Sequence, residues 1–154
     1  MKITLTLNGQ KRTDEVAPDL TLQKYLRAHG CLSVKCGCET TNCGLCTVHL
    51  NGKPVLSCAT LAVRCDGCEV TTLEGLQKEA EEFGSYLADE GAEQCGFCSP
   101  GFIMNVLAMA RELKNPTEEE ISEYLAGNLC RCSGYQGQLR ALKKYLAAKG
   151  GEQA

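Results

Sequence analysis

"VKCGCETTNCGLCTVHLNGKPVLSC", residues 34–58, carries five of the chain's twelve cysteines. Four of them crowd into the first thirteen residues, separated by glycine and small polar residues. That composition marks a loop. The next stretch reads differently. "TVHL", Asn51-Gly52 and "KPVL" have the pattern of a strand, a tight turn and a second strand. A thiol-rich loop thus runs straight into a hairpin, and Cys58 returns beyond it. The reading turns on which four thiols share one site.

Spacing decides. Cys38-x4-Cys43-x2-Cys46, with Cys58 beyond eleven intervening residues, is the plant-type ligand pattern for a [2Fe-2S] cluster. Such a cluster needs four thiolates, two on each iron. Gly37 and Gly44 let backbone N–H groups approach the sulfurs. Structural zinc prefers two separate Cys-x2–4-Cys pairs and fits this group less well. A second set consists of Cys95-x2-Cys98 and Cys130-x-Cys132. Both pairs precede expected helices, where the positive dipole ends favour an anionic group.

The bulk properties bound the function. A chain of 154 residues suffices for one ordinary domain or two small ones. A net charge of −3 leaves no basic footprint for nucleic acid or an anionic membrane. Apolar runs are far short of a membrane span, and "MKITLTLNG" lacks signal-peptide character, so a cytoplasmic protein is expected. In that compartment a high cysteine content points to metal rather than disulfides.

The first half reads as β-rich. "KITLTLNG" alternates, with Ile3, Leu5 and Leu7 on one face, and Asn8-Gly9 turns it back toward Val16. Residues 18–30 form a short helix ending near Gly30, and "CEVTTLEG" (68–75) adds a strand. The second half reads as helical. Residues 76–90 are weakly periodic. "SPGFIMNVLAMARELK" (99–114) takes Ser99 as N-cap and Pro100 as its first helical residue. "NPTEEEISEYLAGN" (115–128) carries a Thr117/Glu120 capping box, and residues 135–150 form a last helix. The period changes near residue 75, giving two domains, 1–76 and 77–154, and an α+β class. His29 and His49 are lone histidines with structural or surface roles. Glu118 to Glu120 mark a helix start. No catalytic residue is expected.

The chain resembles the iron–sulfur subunits of the molybdenum hydroxylases, the xanthine dehydrogenase and aldehyde oxidoreductase family. The resemblance spans nearly the whole chain and rests on residues 38–58, "TTLEG" (71–75), "EQCGFCSPGFIM" (93–104), "PTEEEI" (116–121) and "GNLCRCSGYQ" (127–136). It implies an N-terminal β-grasp, plant-type ferredoxin domain followed by a C-terminal four-helix domain, each holding one [2Fe-2S] cluster. Cys38, Cys43, Cys46 and Cys58 would hold the first cluster, and Cys95, Cys98, Cys130 and Cys132 the second. Gln94 and Cys132 would lie against the molybdopterin of a large partner subunit. A medium partner subunit would bind FAD, making the assembly a hetero-oligomer. The implied function is relay of single electrons from the molybdenum cofactor to a flavin or other acceptor. A purine or other N-heterocycle is the expected substrate of the partner.

Two features depart from that pattern. The resemblance implies glycine at position 41, where this chain has Thr41. A positive φ there would cost threonine about 1 kcal/mol or more, and its hydroxyl would be free to meet a sulfur. Cys31, Cys36, Cys65 and Cys68 match no ligand position. They are either packed thiols or parts of a third metal site. A free-standing two-cluster ferredoxin and a zinc scaffold are the competing functions.

Overall fold

The computed structural model describes residues 1–151. The last three residues of the expected second domain lie outside them. The architecture is α+β. A five-stranded mixed sheet has the order β2-β1-β5-β3-β4, formed by β1 (Lys2–Leu7), β2 (Gln10–Glu15), β3 (Thr47–Leu50), β4 (Lys53–Leu56) and β5 (Glu69–Thr71). β1 runs antiparallel to β2 and parallel to β5, which runs antiparallel to β3. Both hairpins turn through left-handed Asn-Gly pairs, at Asn8-Gly9 and Asn51-Gly52, as an I′ turn requires.

The alternation of β1 puts Ile3, Leu5 and Leu7 in an apolar core with Leu22, Tyr25 and Leu26 of α1 (Leu22–Ala28). Thr21 caps that helix: its hydroxyl accepts the Lys24 N–H. β3 shows no alternation, since Thr47, Val48 and His49 are all buried. Val48 belongs to the first core, while His49 meets α3 (Ser99–Glu112) on the opposite side.

The helices α2 (Gln77–Asp89), α3, α4 (Glu118–Leu125) and α5 (Gln136–Gly151) share a second core around Phe83, Val106, Ile121 and Leu142. The Phe83 and Tyr145 rings meet edge-on at 5.1 Å. α4 starts with the expected capping box. The start of α3 differs from expectation. Cys98 occupies the cap position with helical dihedrals, and Ser99 already lies in the helix. The Ser99 hydroxyl donates to Glu93 instead of capping, because the chain enters α3 directly from the tight Cys95–Cys98 turn. α3 is buried almost all round, since it packs on the sheet as well as on the other helices. No helix among the described residues is long and apolar enough to cross a membrane.

Candidate metal centres

The loop carrying the first thiols is anchored at its root. Glu74 accepts from the Ser33 N–H (2.8 Å), the Ser33 hydroxyl (2.6 Å) and the Thr72 hydroxyl (2.6 Å). Burial raises the Glu74 pKa, but these donors outweigh it and leave the carboxylate below its ordinary value. Asn8 holds Thr72 through both its amide atoms. "TTLEG" is therefore an anchor, a role that only the fold reveals.

Cys38 interacts with Cys43 in the loop, Cys46 with Cys58 from beyond the hairpin, and the four lie close enough to influence one another's ionisation. Cys38 receives N–H groups of Asn42, Cys43 and Thr40, which bring its thiol down to about 6. Burial and the neighbouring Cys46 push Cys58 up to about 12. Thr41 has φ +57°, the left-handed conformation that glycine would favour. Its hydroxyl donates to the Thr40 carbonyl at 2.7 Å, not to a sulfur.

The second set gathers at the starts of α3 and α5. Cys132 and Cys95 place their sulfurs 3.6 Å apart, and Cys98 pairs with Cys130. Burial raises Cys130. The Ser133 hydroxyl and the N–H groups of Ser133 and Cys132 outweigh it, bringing the thiol to about 7. Cys98 is raised to about 12 by burial and by Cys130. Tyr135 clamps Cys130 from both sides: its hydroxyl accepts the Cys130 N–H (2.9 Å) and donates to the Cys130 carbonyl (2.8 Å). Buried Gln138 points its Nε2 at Cys98 Sγ, 3.9 Å away. Neither role is visible in the cysteine spacing.

The thiols therefore meet two by two. Among the described residues, no three or more His, Cys, Asp or Glu side chains converge as one ion would require. Two thiolates on one tetrahedral metal with bonds of about 2.3 Å stand about 3.7 Å apart, close to the observed 3.6 Å. Pairs of this kind suit a binuclear centre. The unmatched cysteines do not assemble into another site. Cys31 and Cys65 are packed in the first core, where burial raises both thiols. Cys68 is half-buried at the end of the Cys65–Cys68 turn, and Cys36 is exposed.

The two groups touch. The Leu129 N–H donates to the Cys43 carbonyl at 2.9 Å. Gly44 has φ +75°, and a Cβ on it would lie 2.3 Å from the Gly127 carbonyl oxygen. A Cβ on Gly101 would lie 2.5 Å from the Gly44 oxygen. Backbone rests on backbone here. His49 closes the joint: its Nε2–H donates to the Met104 carbonyl (2.7 Å), and Arg111 donates to its Nδ1 (3.0 Å). Burial lowers its pKa and keeps it neutral for both bonds. His49 is thus structural, and at the interface rather than on the surface.

A mixed sheet beside four helices, with two groups of paired thiols, defines the class as a protein built to hold two thiolate-ligated metal groups. A family model described as a [2Fe-2S] binding domain matches residues 72–143. The chain is 45% identical over 138 residues to the xanthine dehydrogenase iron-sulfur-binding subunit of Escherichia coli, covering 87% of this chain and 87% of that one. It is 41% identical over 136 residues to the nicotinate dehydrogenase small FeS subunit of Eubacterium barkeri, covering 86% and 87%. Quinoline 2-oxidoreductase from Pseudomonas putida 86 is structurally similar, with TM-score 0.89, 35% identity and coverage of 100% and 97%. The chain belongs to the iron–sulfur small-subunit family of the molybdenum hydroxylases.

Proposed function

We propose that this chain, an electron-transfer subunit of a molybdenum hydroxylase, carries electrons across its own interior from one exposed edge to another. Cys38 and Cys43 would hold one iron of the first [2Fe-2S] cluster, and Cys46 and Cys58 the other. Cys95 with Cys132, and Cys98 with Cys130, would hold the two irons of the second. The resident clusters supply one-electron redox chemistry. The protein's part is to ionise the thiols, aim N–H groups at them and fix their separation.

One observation carries this reading: the hydrogen bond from Leu129, the neighbour of Cys130, to the carbonyl of Cys43. It joins the inner edges of both groups through backbone alone. Each group also has an outer edge. Residues 39–42 are exposed at the first, and Gln94, Cys95 and Cys132 at the second. The molybdopterin-bearing large subunit is assigned to the second edge, with Gln94 and Cys132 against the pterin. The exposed apolar side chains of Leu129 and Tyr135 would become covered there. The FAD-binding medium subunit is assigned to the first edge. In this reading residues 1–76 are a β-grasp ferredoxin domain, and 77–154 a four-helix domain. The relatives above are named for xanthine, nicotinate and quinoline. All are N-heterocycles, which supports a substrate of that class for the complex.

The test is purification from the native host followed by metal analysis and electron paramagnetic resonance. The relay reading expects about four irons and four sulfides per chain, two distinct signals on reduction, and a co-purifying molybdenum subunit. Two signals from a chain that never meets a molybdenum subunit would favour a free-standing ferredoxin. Zinc without sulfide would eliminate both redox readings.

A further inference from the structure

Asn128 lies in the segment between α4 and Cys130 and is 7% exposed. It is no thiol ligand, and it belongs to neither exposed edge. Its amide Nδ2 donates to the Gly44 carbonyl at 3.4 Å, and its Oδ1 accepts from Asn105 Nδ2 at 2.5 Å. The orientation follows from chemistry: a carbonyl only accepts, so the NH2 must face Gly44 and the oxygen must face Asn105.

Each end of this relay is fixed independently. Asn105 sits on α3, next to Met104, whose carbonyl receives His49 from the sheet. The Gly44 carbonyl also accepts from the Thr47 N–H (3.2 Å) and the Thr47 hydroxyl (2.7 Å). A Cβ on Gly44 would come within 2.7 Å of Asn128 Nδ2 and 2.3 Å of the Gly127 oxygen. The next residue after Asn128 supplies the N–H that reaches Cys43. Asn128 therefore grips Gly44 while its neighbour grips Cys43, giving paired contacts between adjacent residues of the two segments.

We propose that Asn128, oriented by Asn105, is a positioning residue that keeps the Leu129–Cys43 hydrogen bond closed and thereby sets the electronic coupling between the two iron–sulfur groups. The proposal rests on the relay reading and assigns it a structural control point. Leucine at 128 would match the size but lose both bonds, leaving Asn105 unpartnered inside the joint. Leucine at 105 would leave Asn128 in place but unoriented. Histidine at 105 could restore a donor from its Nδ1–H.

The experiment uses the holoprotein and the variants Asn128→Leu, Asn105→Leu and Asn105→His. Three readouts are taken: hydrogen exchange at the Leu129 amide, the magnetic splitting between the two reduced centres, and the rate of inter-centre electron transfer after pulsed reduction. Asn128→Leu is expected to retain both centres and to speed Leu129 exchange roughly tenfold. Its splitting and transfer rate should both fall. Asn105→Leu should do the same more weakly, and Asn105→His should recover toward wild type. Wild-type splitting and rate in both leucine variants would overturn the proposal, even if their melting points fell. If Asn128→Leu fails to assemble its centres, the Asn105 pair decides by the same criterion. A wild-type protein without two paramagnetic signals would instead defeat the relay reading itself.

Discussion

The same substitution should have opposite effects at two helical glycines. Gly101 lies in the first turn of α3, and a methyl there would sit 2.5 Å from the Gly44 oxygen and 2.8 Å from Leu45 Cα. Both are backbone atoms of the thiol loop, so no flexible side chain can swing aside. Relief requires moving α3 and the loop apart by roughly 1 Å, a small-to-large change of the kind that costs about 1–3 kcal/mol. Alanine's advantage over glycine in a helix returns about 0.5–1 kcal/mol. With backbone on both sides the clash belongs at the upper end, for a net loss near 2 kcal/mol. Gly84, in α2, has nothing within 4 Å of its added Cβ, so Gly84→Ala should gain about 0.5–1 kcal/mol. For a chain of this size, about 2–4 °C accompanies each kcal/mol. Thermal unfolding of the holoprotein, followed by circular dichroism, should show Gly101→Ala melting roughly 4–8 °C lower and Gly84→Ala slightly higher. The Gly101 variant should also lose coupling between its centres, since α3 starts directly after Cys98. A Gly101→Ala protein as stable as wild type would refute the claim that α3 and the thiol loop meet backbone to backbone.

Other outcomes follow from the same geometry. His49 has a folded pKa below its ordinary 6.5, so the unfolded chain takes up the proton first as pH falls. Its contribution is complete above about pH 6.5 and is lost as pH drops toward the folded pKa. Melting temperature against pH should therefore be flatter for His49→Gln in that range, and parallel curves would exclude the effect. Thr41→Gly should relieve the left-handed strain by a net 0.5–1 kcal/mol or so. A chelator should then strip iron from the first centre more slowly, and faster loss would count against strain at that position. Cys36→Ser should leave about four irons per chain, whereas Cys58→Ser should reduce the content to about two. Equal losses from both variants would undo the ligand assignment.

The local elements were legible because short-range rules govern them. Asn8-Gly9 and Asn51-Gly52 can only turn tightly, the alternation of Ile3, Leu5 and Leu7 has one face to bury, and Thr117 with Glu120 closes its own box. The left-handed demand at Thr41 has another source: the family resemblance implies glycine at that position, and the residue adopts φ +57°. Ser99 lies inside the helix and not at its cap, because the preceding turn enters the helix without an extended cap residue. The cysteine spacing allowed the two sets to be proposed, since a loop of a given length limits which thiols can meet.

The spacing carried no information about how the two sets face each other. Residues 43–45 and 127–129 are distant in the chain, and their contact depends on α3 lying across β3, on glycines at 44 and 101, and on the His49 and Asn128 bonds. None of these has a periodicity or a motif of its own. By itself the sequence determined two strand hairpins, a further strand, helices and eight candidate thiols. Only the tertiary structure decided that Cys43 and Cys130 approach through Leu129, because a contact between remote backbones depends on packing and on no local preference.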